Sequence, residues 1–426
     1  MMHFGMLAPA FPSHWRAMEA IAQALLQRGH RVTFFHQQDA SRLLRDPDVG
    51  FIALGQDTHP TGSLAACLQR AASPGSPLGL RRVIQDMAAT TAMLCRSLPV
   101  ALERAGVDAL VCDQMEAAGG MVAEAMALPF VSVACALPVN REAGLPLPVM
   151  PWALPRTQRD VEIVEASTRV YDHLMAPHRQ AIATAAKQLG IASRGALHEC
   201  LSPYAQLSQT IAGFDFPRKE STPPLHHLGP FRKDMPQQFP SLPLAPDRPF
   251  VFASLGTLQG QRRGVFERIS TACRREGVQL LIAHCGGLSP RQAAGLAVPG
   301  QVWVTDFAPQ QAVLERADAV FSHAGLNTVL DAFAAGTPVL ALPIAFDQPG
   351  VAARVVQAGA GLKASARWAG ARRLQRDLRR LLGEPGFATN AKRLGTEIAG
   401  AGGSSRAAQI IEQVAVDRRP VPAHAA

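Results

Sequence analysis

The densest polar chemistry in the chain lies in FSHAGLNTVLDAFAAGTPVLALPIAFDQ, residues 321–348, between two strongly apolar segments. AVFS reads as a strand, and HAGLNT as its turn into a helix. A helix N-terminus presents unpaired backbone N–H groups and partial positive charge, which suits phosphate oxygens. Gly325 permits close backbone approach, Asn327 and Thr328 add side-chain donors, and His323 can donate to a diphosphate. Asp331 falls about one turn into the helix, where it can face a ribose. The next strand ends in AFDQ and delivers Asp347 and Gln348 to the same rim, a carboxylate beside an amide and so a natural reader of sugar hydroxyls. A second set lies far upstream. His14 stands in APAFPSHWRA at the start of the first helix, and Asp113 closes the strand VDALVCD. A neutral imidazole, with its pKa near about 6.5, can take a proton from an alcohol. Parallel strands would bring Asp113 beside it to fix the tautomer. Taken singly, Asn327 and Asp113 read as helix caps, His14 as a helix-start residue bonded to backbone, and Asp347 with Gln348 as the start of a loop. Gathered at neighbouring strand ends, the Phe321–Gln348 groups read as a ligand site.

The surrounding elements must position these groups. HFGMLA is a short apolar strand, WRAMEAIAQALLQRG carries apolar residues at helical spacing with Gly29 as its stop, and RVTFFH is the next strand. VDALVCD, a helix over about 117–127, and PFVSVAC repeat the alternation. FVFAS, a helix near 262–275, VQLLIAHC, VWVTD, AVFSH, a helix from Leu326 and PVLALPI restart it later. The pattern predicts two α/β, doubly wound, Rossmann-like parallel-sheet domains facing a cleft, with ligands at the carboxyl ends of the strands. Between them, PRKESTPPLHHLGPFRKDMPQQFPSLPLAPDRP holds nine prolines in 33 residues, too many for a helix or central strand. The expected division is a domain over 1–235, a linker over 236–248, a second domain over 249–403, and a helix and tail over 404–426. The apolar spacing of SSRAAQIIEQVAV would allow that last helix to cross back onto the first domain.

Composition narrows the class. At 426 residues, 48% hydrophobic and 18% charged, the chain suits a globular two-domain protein. The seven cysteines lack C-x-x-C spacing and are odd in number, which predicts reduced thiols and a cytoplasmic setting. MMHFGMLAPAF has no basic n-region, so no secretory leader is expected, and no apolar run approaches a membrane span. The net charge of +9 is carried almost wholly by arginine, without interleaved aromatics, so nucleic acid is not an expected partner. The first strand turns through A-P-A-F-P-S-H without G-x-G-x-x-G, which argues against a nicotinamide enzyme.

From Asp306 to Gln348, the series DFAPQ, HAGLNT, the acid at 331, GTPVLALP and DQ resembles the donor signature of the UDP-glycosyltransferases with the GT-B fold. The resemblance implies that His323 and the turn of Gly325, Asn327 and Thr328 hold a diphosphate. It implies that Asp347 and Gln348 hold glucose hydroxyls, and that Gln310 and Asp331 lie near the ribose. Phe307 stands where the family often has a uracil-stacking tryptophan, and Asp331 where many members have glutamate. Ser254 and Thr257 of ASLGT would approach the phosphates, and His14 with Asp113 would be the catalytic dyad. The chemistry so implied is inverting transfer from UDP-glucose, a co-substrate, with no cofactor. No metal is expected either: the sole D-x-D, Asp46-Pro47-Asp48, reads as a surface turn.

VCDQMEAAG, FVSVACALPVNRE, FDFPRK, FASLGTLQG and AFDQPGVAAR, spread over both halves, are similar to the bacterial zeaxanthin glucosyltransferases of carotenoid biosynthesis. That likeness implies transfer to the 3-hydroxyls of zeaxanthin, giving mono- and diglucoside; another apolar alcohol, such as a polyketide, sterol or lipid, is the alternative acceptor. The greasy segment ALPVNREAGLPLPVMPW, residues 136–152, fits either. A carotenoid resides in a bilayer, so peripheral contact with the inner face of the membrane is a further expectation. The helix ARRLQRDLRRLL, with Ala371, Leu374, Leu378 and Leu381 on one stripe, either lies on anionic lipid or packs on its own domain.

Overall fold

Runs such as HFGML, ALVCD, FVSVA, FVFAS and QLLIA are buried at every position, as strands covered on both faces must be. A computed structural model describes residues 1–219, 225–232 and 238–423. Positions 236 and 237 of the expected linker and 424–426 of the tail lie outside the described residues.

The first sheet contains β1 (His3–Leu7), β2 (Arg31–Gln37), β3 (Gly50–Leu54), β4 (Ala109–Asp113), β5 (Phe130–Ala134), β6 (Gln206–Ser208) and β7 (Leu225–His227). Its helices are α1 (Pro12–Gln27), α2 (Ser63–Ala72), α3 (Pro77–Ala105), α4 (Ala117–Ala125), α5 (Gln158–Leu174) and α6 (Ala176–Leu189). The second sheet contains β8 (Phe250–Ser254), β9 (Gln279–Ala283), β10 (Val302–Thr305), β11 (Ala319–Ser322), β12 (Val339–Ala341) and β13 (Gly361–Lys363). With it run α7 (Arg263–Glu276), α8 (Pro290–Ala294), α9 (Gln310–Leu314), α10 (Leu326–Ala334), α11 (Gln348–Gln357), α12 (Ala371–Gly383) and α13 (Pro385–Gly400), and α14 (Gly403–Asp417) is the last helix among the described residues.

Both sheets are parallel and doubly wound. Their orders are β3-β2-β1-β4-β5-β6-β7 and β10-β9-β8-β11-β12-β13. In each, the order reverses beside the first strand, between β1 and β4 and between β8 and β11. Loops leaving such a pair diverge to opposite faces of the sheet and open a crevice at its carboxyl edge. Register puts Leu7 opposite Cys112 and Ser322 opposite Ser254, so His14, Asp113, His323 and the 254–257 loop all belong to these two crevices.

Two arrangements left open by pattern are settled by packing. Ala407, Ile410, Ile411 and Val414 of α14 are buried in the first-lobe core with α1, so the last helix does cross back. Leu374, Leu378 and Leu381 of α12 are buried in the second-lobe core with Phe266 and Ile269 of α7, so that stripe is covered by protein rather than lipid. All seven cysteines are free thiols, and no helix among the described residues is long and apolar enough to cross a membrane.

The lobes touch through more than the connecting chain. Arg354 of α11 is fully buried, donates to Asp215 at 2.7 Å and lies over the Phe216 ring. Burial alone would push the Asp215 carboxyl up; Arg354 and Arg218 outweigh it and hold it at about 2. FDFPRK and VAAR, distant in sequence, thus form one sealed interlobe pair. A Cβ on Gly350 would stand 2.0 Å from the Pro148 carbonyl oxygen, so the lip after β5 approaches α11 as closely as glycine allows.

Candidate active site

In the first-lobe crevice, the loop after Leu7 turns through Phe11 into α1, with Pro12 in its first turn. His14 Nδ1 lies 2.7 Å from Asp113 Oδ2, and Asp113 Oδ1 accepts the Met115 amide at 2.8 Å. The cap of α4 is Glu116, which accepts from the Ala118 amide, so Asp113 does not serve as that cap. A carboxylate only accepts, so Nδ1 carries the proton and Nε2 keeps its lone pair. Burial opposes a charge on His14, but Asp113 by charge and hydrogen bond, and Asp347 by charge, together raise its proton affinity above the ordinary value. The ring is 13% exposed, enough for access by a reacting hydroxyl. Cys135 completes a group whose ligand atoms lie within 4.8 Å of one another, a set of His, Cys and carboxylate among the described residues that could hold a metal ion. Here Asp113 Oδ2 is already engaged by His14.

In the second-lobe crevice, α10 starts at Gly325 with no side-chain cap and no acid in its first turn, which leaves its leading amides available to an anion. Asn327 lies inside that turn rather than capping it, and its amide reaches the Ser13 carbonyl of the other lobe at 3.5 Å. Ala324 adopts φ +63° and Gly256 φ +72°, turning both loops sharply over the strand ends. His323 occupies the space between them: a Cβ on Gly256 or Gly325 would come within 2.6 Å or 2.5 Å of its ring. The close approach expected at Gly325 is therefore made first by the imidazole. Burial pushes His323 down to about 4, against the Ser254 carbonyl, so the ring is neutral at pH 7. Its Nδ1 is buried and makes no hydrogen bond. Ser254 Oγ accepts the Gly256 amide at 3.3 Å and holds the loop, while Thr257 is exposed beyond it.

Gln310, Thr328 and Asp331 come together as one network. Gln310 Nε2 donates to Asp331 Oδ2 at 2.5 Å, and Thr328 Oγ1 donates to Gln310 Oε1 at 3.2 Å. Asp331 is buried and also meets Arg232, a residue that no spacing in the sequence connects with it. Phe307 is 67% exposed after β10.

Asp347 and Gln348 close the seam. Asp347 Oδ2 accepts the Leu137 amide of the first lobe at 3.3 Å. Burial pushes its carboxyl up, with that amide and His14 pulling the other way. Gln348 Oε1 accepts the Ile344 and Ala345 amides at 2.8 Å each, so its carbonyl shapes the loop and its NH₂ is what remains for a ligand. Phe346, at φ +57°, packs across the cleft on Phe11, itself beside His14. Phe11, Leu137 and Phe346 were not singled out by pattern, although Phe346 precedes Asp347 directly.

Paired doubly wound lobes, with their switch points joined across one cleft, are the architecture of the GT-B class. Residues 288–414 match the family model described as erythromycin biosynthesis protein CIII-like, C-terminal domain. The chain is 46% identical to the zeaxanthin glucosyltransferase of Pantoea ananas, over 99% of this chain and 98% of that protein. It is 44% identical to that of Pseudescherichia vulneris, over 97% and 98%. Among solved structures, the kitacinnamycin glycosyltransferase superposes with a TM-score of 0.75 at 19% identity, over 97% of this chain and 98% of that one. The glycosyltransferase VinC, in complex with dTDP, gives 0.70 at 23%, over 98% and 100%. The chain belongs to the zeaxanthin glucosyltransferase family.

Proposed function

We propose that the protein transfers glucose from UDP-glucose to the ring hydroxyls of zeaxanthin, with inversion, giving mono- and diglucoside. The observation that carries this is the His14–Asp113 pair facing Asp347 across the cleft, a base and a sugar reader held in one electrostatic neighbourhood. The names of the two full-length relatives support the acceptor and the sugar. The acceptor hydroxyl gives its proton to His14 Nε2 as its oxygen attacks the anomeric carbon from the face opposite the diphosphate. The new C–O bond forms as the bond from C1 to the phosphate oxygen breaks, and UDP leaves with that electron pair. Asp113 stabilises the imidazolium that results. Negative charge grows on the diphosphate, where the uncapped start of α10, the neutral His323 and the 254–257 loop can donate to it. Gln310 and Asp331 read the ribose, Phe307 stacks on the base, and Asp347 with the Gln348 NH₂ holds glucose hydroxyls. These fixed donors serve in place of a divalent ion, so no metal and no cofactor is required. The enzyme works in the cytoplasm and meets its acceptor at the membrane surface.

The test is a mass-resolved assay with zeaxanthin in micelles or vesicles and UDP-glucose, with and without excess EDTA. Zeaxanthin mono- and diglucoside, undiminished by EDTA, is the expected result. Slow UDP-glucose hydrolysis without glucoside would overturn the acceptor and leave the donor. Activity abolished by EDTA and restored by magnesium would overturn the metal-free mechanism.

A further inference from the structure

Asp331 reaches the donor pocket with most of its hydrogen-bonding capacity already used. Arg232 Nη1 lies 2.5 Å from Oδ1, Gln311 Nε2 donates to the same oxygen at 3.3 Å, and Gln310 Nε2 donates to Oδ2 at 2.5 Å. A carboxylate accepts about four hydrogen bonds, so roughly one position remains for a ligand. Arg232 Nη2 also donates to the Asn327 carbonyl at 2.8 Å, in the first turn of the same helix. The guanidinium therefore fixes two points of α10 at once.

Arg232 does not come from the donor lobe. Phe231 is buried in the first-lobe core, the Leu228 amide donates to Ser208, and the Gly229 amide donates to Thr210. The Gly403 amide at the start of α14 donates back to Leu228. The segment that ends at Arg232 is thus tied to the first lobe, and its last side chain crosses to the second.

We propose that Arg232 is a positioning residue of the nucleotide site, holding Asp331 as a directed acceptor for one ribose hydroxyl and making donor affinity depend on lobe closure. This rests on the donor reading of Asp331 above. A buried carboxylate without a countercharge is costly and disordered in direction; a two-pronged guanidinium corrects both. Because the prongs belong to the other lobe, any opening that separates the lobes withdraws them.

The experiment is steady-state kinetics on Arg232→Met, Arg232→Lys, Asp331→Asn and the Arg232→Met/Asp331→Asn pair, varying UDP-glucose and acceptor separately. Thermal midpoints are read alongside, and Arg232→Lys, which keeps the charge, carries the test if Arg232→Met fails to fold. Arg232→Met should raise KM for UDP-glucose roughly tenfold or more, the scale of one charge-assisted hydrogen bond. The acceptor KM should stay unchanged, and Arg232→Lys should recover part of the loss. The double variant should be no worse than the worse single variant, because removing both charges leaves neither unpaired; a merely structural role would lower the thermal midpoints and leave KM for UDP-glucose unchanged. Strict additivity, or an unchanged KM in Arg232→Met while Asp331→Asn raises it, overturns the proposal and leaves the donor reading standing. An unchanged KM in Asp331→Asn overturns the reading of that carboxylate, and the proposal with it.

Discussion

In the first lobe the crevice beside β1 and β4 carries side-chain chemistry, an imidazole in the first turn of α1 and a carboxylate at the end of β4, 2.7 Å apart. In the second lobe the loops after β8 and β11 occupy the same places in the same strand order, yet they carry mostly backbone chemistry. There the centre is an uncapped helix start, two sharp turns and a neutral ring wedged between glycines. The sheets fix where a ligand is met, and the loops decide what meets it. The two halves should therefore fail differently: a side-chain pair fails in rate, a backbone cradle in affinity.

The largest effect should come from removing the base. His14→Ala should lower kcat by about 10²–10⁴-fold, the range for a lost general base, while calorimetric affinity for UDP stays near wild type. A parallel fall in UDP affinity would show that the two halves are not separable in this way.

Asp113→Asn tests how the pair is tuned. A general base works only when unprotonated, and Asp113 raises the proton affinity of His14, so under the proposed mechanism the wild-type rate should fall as pH drops through a value above 6.5. With the negative charge gone, the imidazolium is less favoured. The plateau should fall while the acid limb moves to lower pH. A limb that stays in place would assign it to another group.

Asp347 sharpens the contrast because it belongs to the donor lobe and still acts on His14. Asp347→Asn should cost about tenfold or more in kcat/KM for UDP-glucose, as one lost hydrogen bond to a charged group does. It should also move the acid limb slightly downward, by less than Asp113→Asn, since Asp347 contributes charge alone. UDP affinity, measured without the sugar, should barely change.

The same contrast explains what could be read in the sequence. Apart from Ser254 and Thr257, the expected donor-side residues lie within Asp306–Gln348, where strand, turn and helix follow in close succession, so the parallel α/β alternation and the gathering of these residues at one rim were legible, while the strand order came from the structure. His14 and Asp113 were legible through strand ends and chemistry. What escaped was anything made by two lobes meeting: Arg232 on Asp331, Leu137 on Asp347, Phe11 on Phe346. Such contacts have no spacing, because their separation along the chain is set by a proline-rich connection rather than a helical or strand period. Gln348 shows a subtler limit. Its position was readable, but the loss of its carbonyl to two loop amides depends on the turn that follows β12.

The smallest expected change is a gain. Phe307 is 67% exposed after β10 and has no ring partner among the described aromatic contacts, so its face is open to a base. Stacking is worth about 0.5–1.5 kcal/mol beyond area burial, and an indole offers more surface than a phenyl ring. Phe307→Trp should tighten UDP binding by a few-fold, up to about tenfold, and Phe307→Ala should weaken it by a similar factor, with kcat little altered in both. If the indole leaves UDP affinity unchanged while the alanine lowers thermal stability instead, the ring serves the fold of the second lobe, and the base is held by other groups.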